Sequence, residues 1–162
     1  MSKIFIKIKL VHLIWLFFLL LNIAYSFSAY SKAFTTEWLS LKYDKTYLRS
    51  GPSKQNKVLW TYKKKGLPIK LIRKKGDWYE VEMPEQIKGW INSSQISFKR
   101  RVLVISENPI NVRKKEEISS KIVAKASRNV VGELIGCQKR FCKIDFYKIE
   151  GFVEKDSLWG ID

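Results

Sequence analysis

Length, composition and charge already limit what this chain can do. It has 162 residues, with 31 Lys and Arg against 15 Asp and Glu, a single histidine and two cysteines. The histidine, His12, lies inside an apolar N-terminal run, so the rest of the chain lacks this group for acid–base, nucleophilic or metal-binding chemistry. Two cysteines alone cannot complete a tetrahedral zinc site. We therefore expect no metal, no cofactor and no catalytic activity.

Residues 1–26 have the pattern of a secretory signal peptide. Three lysines and no acidic residue accompany an apolar run from Leu10 to Leu21, and the small-residue site Ala24-Tyr25-Ser26 follows. A positive start, an apolar core of about a dozen residues and a small-x-small end are typical of a cleaved signal. The alternative is an uncleaved membrane anchor, because Leu10–Phe27 is long enough at 18 residues to span a bilayer. The expected location is periplasmic or secreted, or the inner membrane if the segment is retained.

The charge of the remaining chain predicts attraction to polyanions. Residues 1–26 hold three lysines and no acidic residue, so their removal changes the net charge from +16 to +13. A charge of this size favours contact with anionic envelope polymers. Export keeps a protein apart from most nucleic acid, so we do not expect a nucleic-acid site. A membrane partner is expected only through the N-terminal segment, if that segment is uncleaved.

The body of the chain contains two copies of one small unit, copy one at residues 38–98 and copy two at residues 102–160. Five short sequence motifs occur in both copies in the same order, and each motif of copy two lies 62 to 64 residues after its counterpart in copy one. The first pair is Thr46-Tyr47-Leu48-Arg49 with Ile110-Asn111-Val112-Arg113, and the last well-matched pair is Gly89-Trp90-Ile91 with Gly151-Phe152-Val153. Within each copy, apolar and polar residues alternate between turn residues, which predicts short strands. We expect an all-β chain of two tandem small barrels that pack together, because a unit of roughly 60 residues is marginal alone.

Three motifs of copy one carry a family resemblance. They are Leu48-Arg49-Ser50-Gly51-Pro52-Ser53, Gly76-Asp77-Trp78-Tyr79-Glu80-Val81 and Gly89-Trp90-Ile91. In these motifs the chain resembles the bacterial SH3 domain family, and its tandem, exported form is similar to uncharacterised proteobacterial SH3-domain proteins. Copy two keeps Val112-Arg113 and Gly151-Phe152-Val153 but lacks the Gly-Pro turn and both tryptophans. The resemblance implies a five- or six-stranded SH3-like barrel that binds cell-wall peptide or another extracytoplasmic ligand.

The two cysteines, Cys137 and Cys142, are separated by four residues between two segments with strand periodicity. A tight hairpin would bring their Cβ atoms to the roughly 3.5–4.5 Å that a disulfide requires, and export supplies an oxidising compartment. We predict a structural disulfide. The alternatives are free buried thiols, or a redox pair beside Lys139 and Arg140, whose charges would stabilise a thiolate.

Aromatic and charged side chains of copy one predict a ligand-binding groove. The six candidates are Tyr43, Tyr47, Arg49, Trp60, Asp77 and Trp78. Aromatic rings stack on a peptide or sugar at little cost in entropy, and an arginine can receive a ligand carboxylate. Each has a structural alternative, since the rings could be packing, the arginine could brace the turn after it, and the aspartate could be a turn residue. Alternation places Tyr47 and Trp78 away from the core, whereas we expect Tyr79 and Trp90 within it.

These observations favour an exported, non-catalytic SH3-like binding protein. It would hold an extended ligand, such as cell-wall peptide, in the groove of copy one, with copy two as a structural partner. Two alternatives stay open. One is a protein–protein adaptor in an envelope complex, and the other is an accessory or regulatory module of a separate enzyme.

Overall fold

Strands and two short 3-10 turns make up the regular structure of the computed structural model, which describes residues 37–161. The signal segment predicted at residues 1–26 lies outside the described residues. Between residues 37 and 161, no helix has the length and apolar character needed to cross a membrane.

Copy one is an antiparallel sheet of seven strands. Its elements are β1 (Trp38–Leu41), β2 (Thr46–Arg49), β3 (Val58–Tyr62), β4 (Pro68–Lys75), β5 (Trp78–Glu82), β6 (Lys88–Asn92), a 3-10 turn (Ser93–Gln95) and β7 (Ile96–Ser97). The strand order is β3-β2-β6-β5-β4-β1-β7. The register places Trp78 opposite Asn92 and Glu80 opposite Trp90, so these four side chains share the outer face of β5 and β6.

Copy two repeats this arrangement. Its elements are β8 (Arg101–Val104), β9 (Ile110–Arg113), β10 (Ile122–Ala126), β11 (Val131–Gln138), β12 (Phe141–Asp145), β13 (Glu150–Glu154), a 3-10 turn (Lys155–Ser157) and β14 (Leu158–Trp159). The order β10-β9-β13-β12-β11-β8-β14 is the order of copy one shifted by seven strands. The predicted all-β fold with two tandem SH3-like units is therefore confirmed. Each sheet has seven strands, more than the five or six implied by the resemblance, because β1 and the two-residue β7 also pair.

The core of copy one is an apolar cluster on the inner face of its sheet. Leu48, Val81 and Ile91 belong to it and are fully buried, and Tyr79 packs against it as expected. Trp90 is buried as expected, although it is not part of that cluster. Trp90 is only 6% exposed, but it lies on the outer face, because its cross-strand partners are Glu80 and Arg49 and its chain neighbour Ile91 points inward.

One glycine in each copy permits close approach of two neighbouring strands. A Cβ on Gly89 would lie 2.9 Å from the carbonyl oxygen of Arg49, and a Cβ on Gly151 would lie 2.8 Å from that of Arg113. Only glycine leaves room for the backbone at this distance. The Gly-aromatic-apolar motif thus has the same steric role in both copies.

Side chains of copy two complete the core of copy one. Leu103 is part of the copy one cluster, and Val131 and Trp159 pack against it. The indole of Trp159 meets that of Trp38 edge to face, with ring centroids 5.0 Å apart, and its Nε1 donates to the carbonyl oxygen of Pro68 at 3.2 Å. The two copies are therefore joined by buried apolar contacts as well as by the chain.

Candidate ligand-binding groove

Four of the six predicted groove residues lie together on copy one. A cavity of about 680 Å³ runs between the loop after β2, the β4–β5 turn and the 3-10 turn after β6. Its lining includes Tyr47, Arg49, Pro52, Lys54, Gln55, Asp77, Trp78, Asn92, Ser94 and Gln95. The size is within the range of about 300–1,000 Å³ for small-ligand sites.

Arg49 shapes one wall of this groove. Its Nη1 donates to the carbonyl oxygens of Lys54 and Asn56, at 2.9 and 2.8 Å. Because these carbonyls belong to the loop after β2, the arginine holds that loop in place. Arg113 makes one such bond in copy two, from Nη1 to the carbonyl oxygen of Ser120 at 2.9 Å. The structural alternative for Arg49 is thus observed, and any role in ligand binding stays a prediction.

Tyr47 is a half-buried ring flanked by two cations. The Lys45 ammonium and the Arg49 guanidinium lie 5.2 and 5.7 Å from its centroid. A hydrogen bond to Tyr47, together with the electrostatic interaction with that residue, raises the pKa of Lys45. These contacts hold a positive potential beside the ring, where a ligand that stacks on it would arrive.

The opposite wall is formed by the β4–β5 turn and the residues after β6. Asp77 is an exposed turn residue, and its carbonyl oxygen accepts from the Ser93 backbone N–H at 2.8 Å. Asn92 caps the 3-10 turn, since its Oδ1 accepts from the backbone N–H of Ser94 at 3.1 Å. This network fixes the turn that carries Asp77 and Trp78 against the end of β6.

Tyr43 and Trp60 do not line the groove. Trp60 pairs with the inward-facing Leu48, whereas Tyr47 pairs with Thr61, so alternation puts Trp60 on the other face of the β2–β3 pair. Trp60 is 54% exposed there, and Tyr43 is 48% exposed in the bend after β1. Of the six candidates, the structure thus brings Tyr47, Arg49, Asp77 and Trp78 together around one cavity and places Tyr43 and Trp60 away from it.

Comparison with known families identifies copy one. The model of the bacterial SH3 domain family matches residues 42–97, which include the loop after β2, the β4–β5 hairpin and the 3-10 turn that form the groove. The chain contains a bacterial SH3 domain. The comparison with curated proteins found no match.

Solved structures show partial similarity to the chain. NlpC2 from Trichomonas vaginalis is 11% identical with a TM-score of 0.36, over 77% of this chain and 48% of that one. NlpC1 from Trichomonas vaginalis is 12% identical with a TM-score of 0.36, over 80% and 48%. An NlpC/P60 family protein from Bacillus cereus ATCC 10987 is 11% identical with a TM-score of 0.34, over 75% and 55%. The chain spans about half the length of these proteins.

The groove of the SH3 domain is not reproduced in copy two. At the equivalent place copy two has a cavity of about 200 Å³, lined by Asn111, Arg113, Glu154 and Ser157 among others. Asn111 occupies the position equivalent to that of Tyr47, and no aromatic ring lines this smaller cavity. An aromatic groove at this place therefore occurs only in the SH3 domain, among residues 37–161.

The predicted disulfide between Cys137 and Cys142 is confirmed. The two residues are directly opposite in the β11–β12 register, with Cα atoms 4.0 Å apart. In the SH3 domain the same register position is occupied by Lys74 and Tyr79, where the ammonium lies 5.1 Å from the ring centroid. A cation–π contact of copy one is thus replaced by a covalent bond in copy two.

Sequence reasoning missed the polar part of the groove. Asn92, Ser94, Gln95 and the loop residues Pro52–Gln55 line it beside the predicted residues. The signal for Asn92 was present, because it follows Gly89-Trp90-Ile91 and alternation puts it on the face of Trp78. In the part of the chain that the structure describes, no three His, Cys, Asp or Glu side chains come together as metal ligands.

Proposed function

We propose that this chain is an exported, non-catalytic binding protein whose SH3 domain holds an extended peptide-like ligand, with cell-wall peptide as the leading candidate. The observation that carries the proposal is the groove of copy one, which combines Tyr47 and Trp78 with Arg49 and Asp77. Aromatic rings next to groups of both charges suit a peptide, because a peptide offers an apolar backbone face, amines and carboxylates.

Each of these groups has a separate task in the proposed complex. The rings of Tyr47 and Trp78 would flank the ligand backbone. The exposed carboxylate of Asp77 would receive an ammonium group, and the cations at Arg49 and Lys54 would receive a carboxylate. Because Arg49 already uses Nη1 to hold the loop, a ligand would meet a site that is formed before it binds, which lowers the cost of ordering.

Two features of composition and bonding support a non-catalytic role. There is no histidine between residues 37 and 161, and both cysteines are consumed by the disulfide. These residues therefore contain neither a free thiol nor an imidazole that could act as a nucleophile or as its base. The strong positive charge supports a location in an envelope rich in anionic polymers.

The test is retention of purified protein on cell-wall sacculi at ~0.5 M salt, where contacts between exposed charges are largely screened. The parent should be retained. Trp78→Ala should weaken binding by about 2 kcal/mol, roughly 30-fold, the usual loss for an aromatic anchor. Trp60→Ala is the matched control, because it removes the same ring from an exposed position outside the groove, and it should bind like the parent.

Three results would contradict the proposal. If the parent is not retained at all, the envelope adaptor replaces it. Equal losses of affinity in Trp78→Ala and Trp60→Ala would show that the groove is not the site. Loss of retention at ~0.5 M salt for every variant would show that net charge alone makes the contact.

Export is checked separately by mass spectrometry of the protein from envelope fractions. The expected N-terminus lies close after residue 26, since the small-residue site there suits signal peptidase. A chain that still contains residues 10–21 would establish the uncleaved anchor instead.

A further inference from the structure

The outer face of copy one is closed by three residues in a row. Arg73 on β4 is opposite Glu80 on β5, which is in turn opposite Trp90 on β6. The guanidinium of Arg73 forms an ion pair with Glu80 and lies 5.2 Å from the centroid of the Trp90 ring. The indole is covered as a result, and only 6% of Trp90 is exposed.

In copy two the equivalent three residues leave the aromatic ring uncovered. Gly136 on β11 is opposite Lys143 on β12, which is opposite Phe152 on β13. Gly136 has no side chain to lay over the ring, and a Cβ added to it would meet no atom within 4 Å. A cavity of about 580 Å³ lies here, lined by Gly136, Lys143, Phe152, Phe141, Ile135 and Lys115 among others. This volume is within the usual range of about 300–1,000 Å³ for small-molecule sites.

The charge at the middle of these three positions is negative in copy one and positive in copy two. The acid there in copy one, Glu80, is replaced by Lys143, whose cross-strand neighbour is the aromatic floor, Phe152. Arg113 lies opposite Phe152 on the far side. Lys115, Glu116 and Glu117 also line the cavity, but all three are exposed residues of the loop after β9 and are not part of its floor. The floor therefore combines apolar rings with positive charge.

Lys143 remains accessible to a ligand. Its Nζ pairs with Glu150 at 2.9 Å, and the two side chains are 41% and 54% exposed. Pairs this exposed are weak and readily exchange partners. A ligand anion that brings its own apolar contacts can thus compete with Glu150.

We propose that copy two binds a small anionic ligand with an apolar body, a carboxylate or sulfonate, in the cavity over Gly136, Lys143 and Phe152. The rings of Phe152 and Phe141 receive the apolar body, and Lys143, the cross-strand neighbour of Phe152, receives the anionic group. This site is separate from the groove of copy one and does not depend on the function proposed for that groove.

The experiment is a fluorescence titration of the full chain with anilinonaphthalene sulfonate, an aromatic anion that brightens in apolar sites. The parent should bind it saturably. Gly136→Glu should weaken binding at least ~10-fold, because the new carboxylate lies opposite Lys143, where it can pair with the ammonium and repel an anionic probe. The matched control is Ser127→Glu, which adds the same charge at an exposed position outside the cavity and should bind like the parent.

Lys143→Gln is a second, independent variant that removes the ammonium without adding a side chain. It should weaken binding of the anionic probe by about 10-fold and leave binding of the neutral probe phenylnaphthylamine unchanged. The proposal is overturned if the parent shows no saturable binding, if folded Gly136→Glu binds the anionic probe like the parent, or if Lys143→Gln weakens the binding of both probes equally. The loss of sacculus binding in Trp78→Ala would not bear on any of these outcomes.

Discussion

Arg49 shows what one residue in a short motif does for the fold. The sequence alone allows two roles, a brace for the next turn and a receptor for a ligand carboxylate. The observed bonds to the carbonyl oxygens of Lys54 and Asn56 establish the first. Because the motif recurs at Arg113 with one such bond, the two copies offer a comparison of the same interaction at two strengths.

We expect Arg49→Ala to lower the free energy of unfolding by about 3 kcal/mol, since it leaves two carbonyls without their charged donor. Arg113→Ala should cost less, about 1.5 kcal/mol, because one carbonyl is affected. Urea unfolding of the two variants and the parent measures both losses. Equal losses, or none for Arg49→Ala, would mean that the loop holds its shape without the guanidinium.

The alternation of residues along a strand predicted the face of the sheet correctly for some side chains and not for others. Alternation within β2 and β5 placed Tyr47 and Trp78 on the outer face, and the register agrees. The position of Trp60 could not be obtained this way, because it depends on how β3 pairs with β2, and that pairing is shifted next to Arg49. Trp90 was expected in the core from its place in the hydrophobic Gly89-Trp90-Ile91 strand, and it is buried on the outer face because a covering arginine can bury a ring on either face.

At the scale of elements, the β4–β5 and β11–β12 hairpins are the same structure held by different chemistry. Both connect their strands with a two-residue turn whose first residue has a positive φ, Gly76 at 54° and Lys139 at 43°. The hairpin and its disulfide were predictable from spacing, because a two-residue turn puts the flanking residues directly opposite. The opening of the cavity at Gly136 was not, since it requires knowledge of what Arg73 covers in copy one.

We expect the disulfide to contribute modestly to stability. It closes a short loop, so its removal in Cys137→Ala/Cys142→Ala should cost less than the ~3 kcal/mol expected for a 15-residue loop. Urea unfolding of the double variant under non-reducing conditions measures the change, and thiol labelling of the denatured parent should find no free cysteine. A loss well above ~3 kcal/mol would mean that the fully buried Cys142 side chain also matters for packing.

At the scale of the whole molecule, the duplication could be predicted from the sequence and the interface between the copies could not. Five recurring sequence motifs predicted two copies of one unit, and the structure shows the same strand order in both copies. Packing of the two was expected on size alone. That Leu103 and Trp159 of copy two enter the core of copy one depends on three-dimensional contacts that no repeat pattern contains.

This interface predicts that copy one depends on a residue of copy two for its stability. Among the tryptophans within residues 37–161, four lie in copy one and Trp159 alone lies in copy two. In protein without residues 1–26, which contain Trp15, the fluorescence of Trp159→Ala therefore reports on copy one only. We expect its urea midpoint to fall, with a loss of about 3 kcal/mol, because the variant removes the edge-to-face contact with Trp38, the bond to the Pro68 carbonyl and apolar cover of the core.

Trp159→Phe separates these contributions, because it keeps an aromatic ring but cannot donate to Pro68, so it should cost only about 1 kcal/mol. Phe146→Ala is the control for copy two, since Phe146 packs against the core of that copy. If the copies unfold as one unit, it should lower the same fluorescence midpoint. If Trp159→Ala left the midpoint of copy one unchanged, the buried contacts between the copies would contribute nothing to its folding, and the two would be independent domains joined by a short linker.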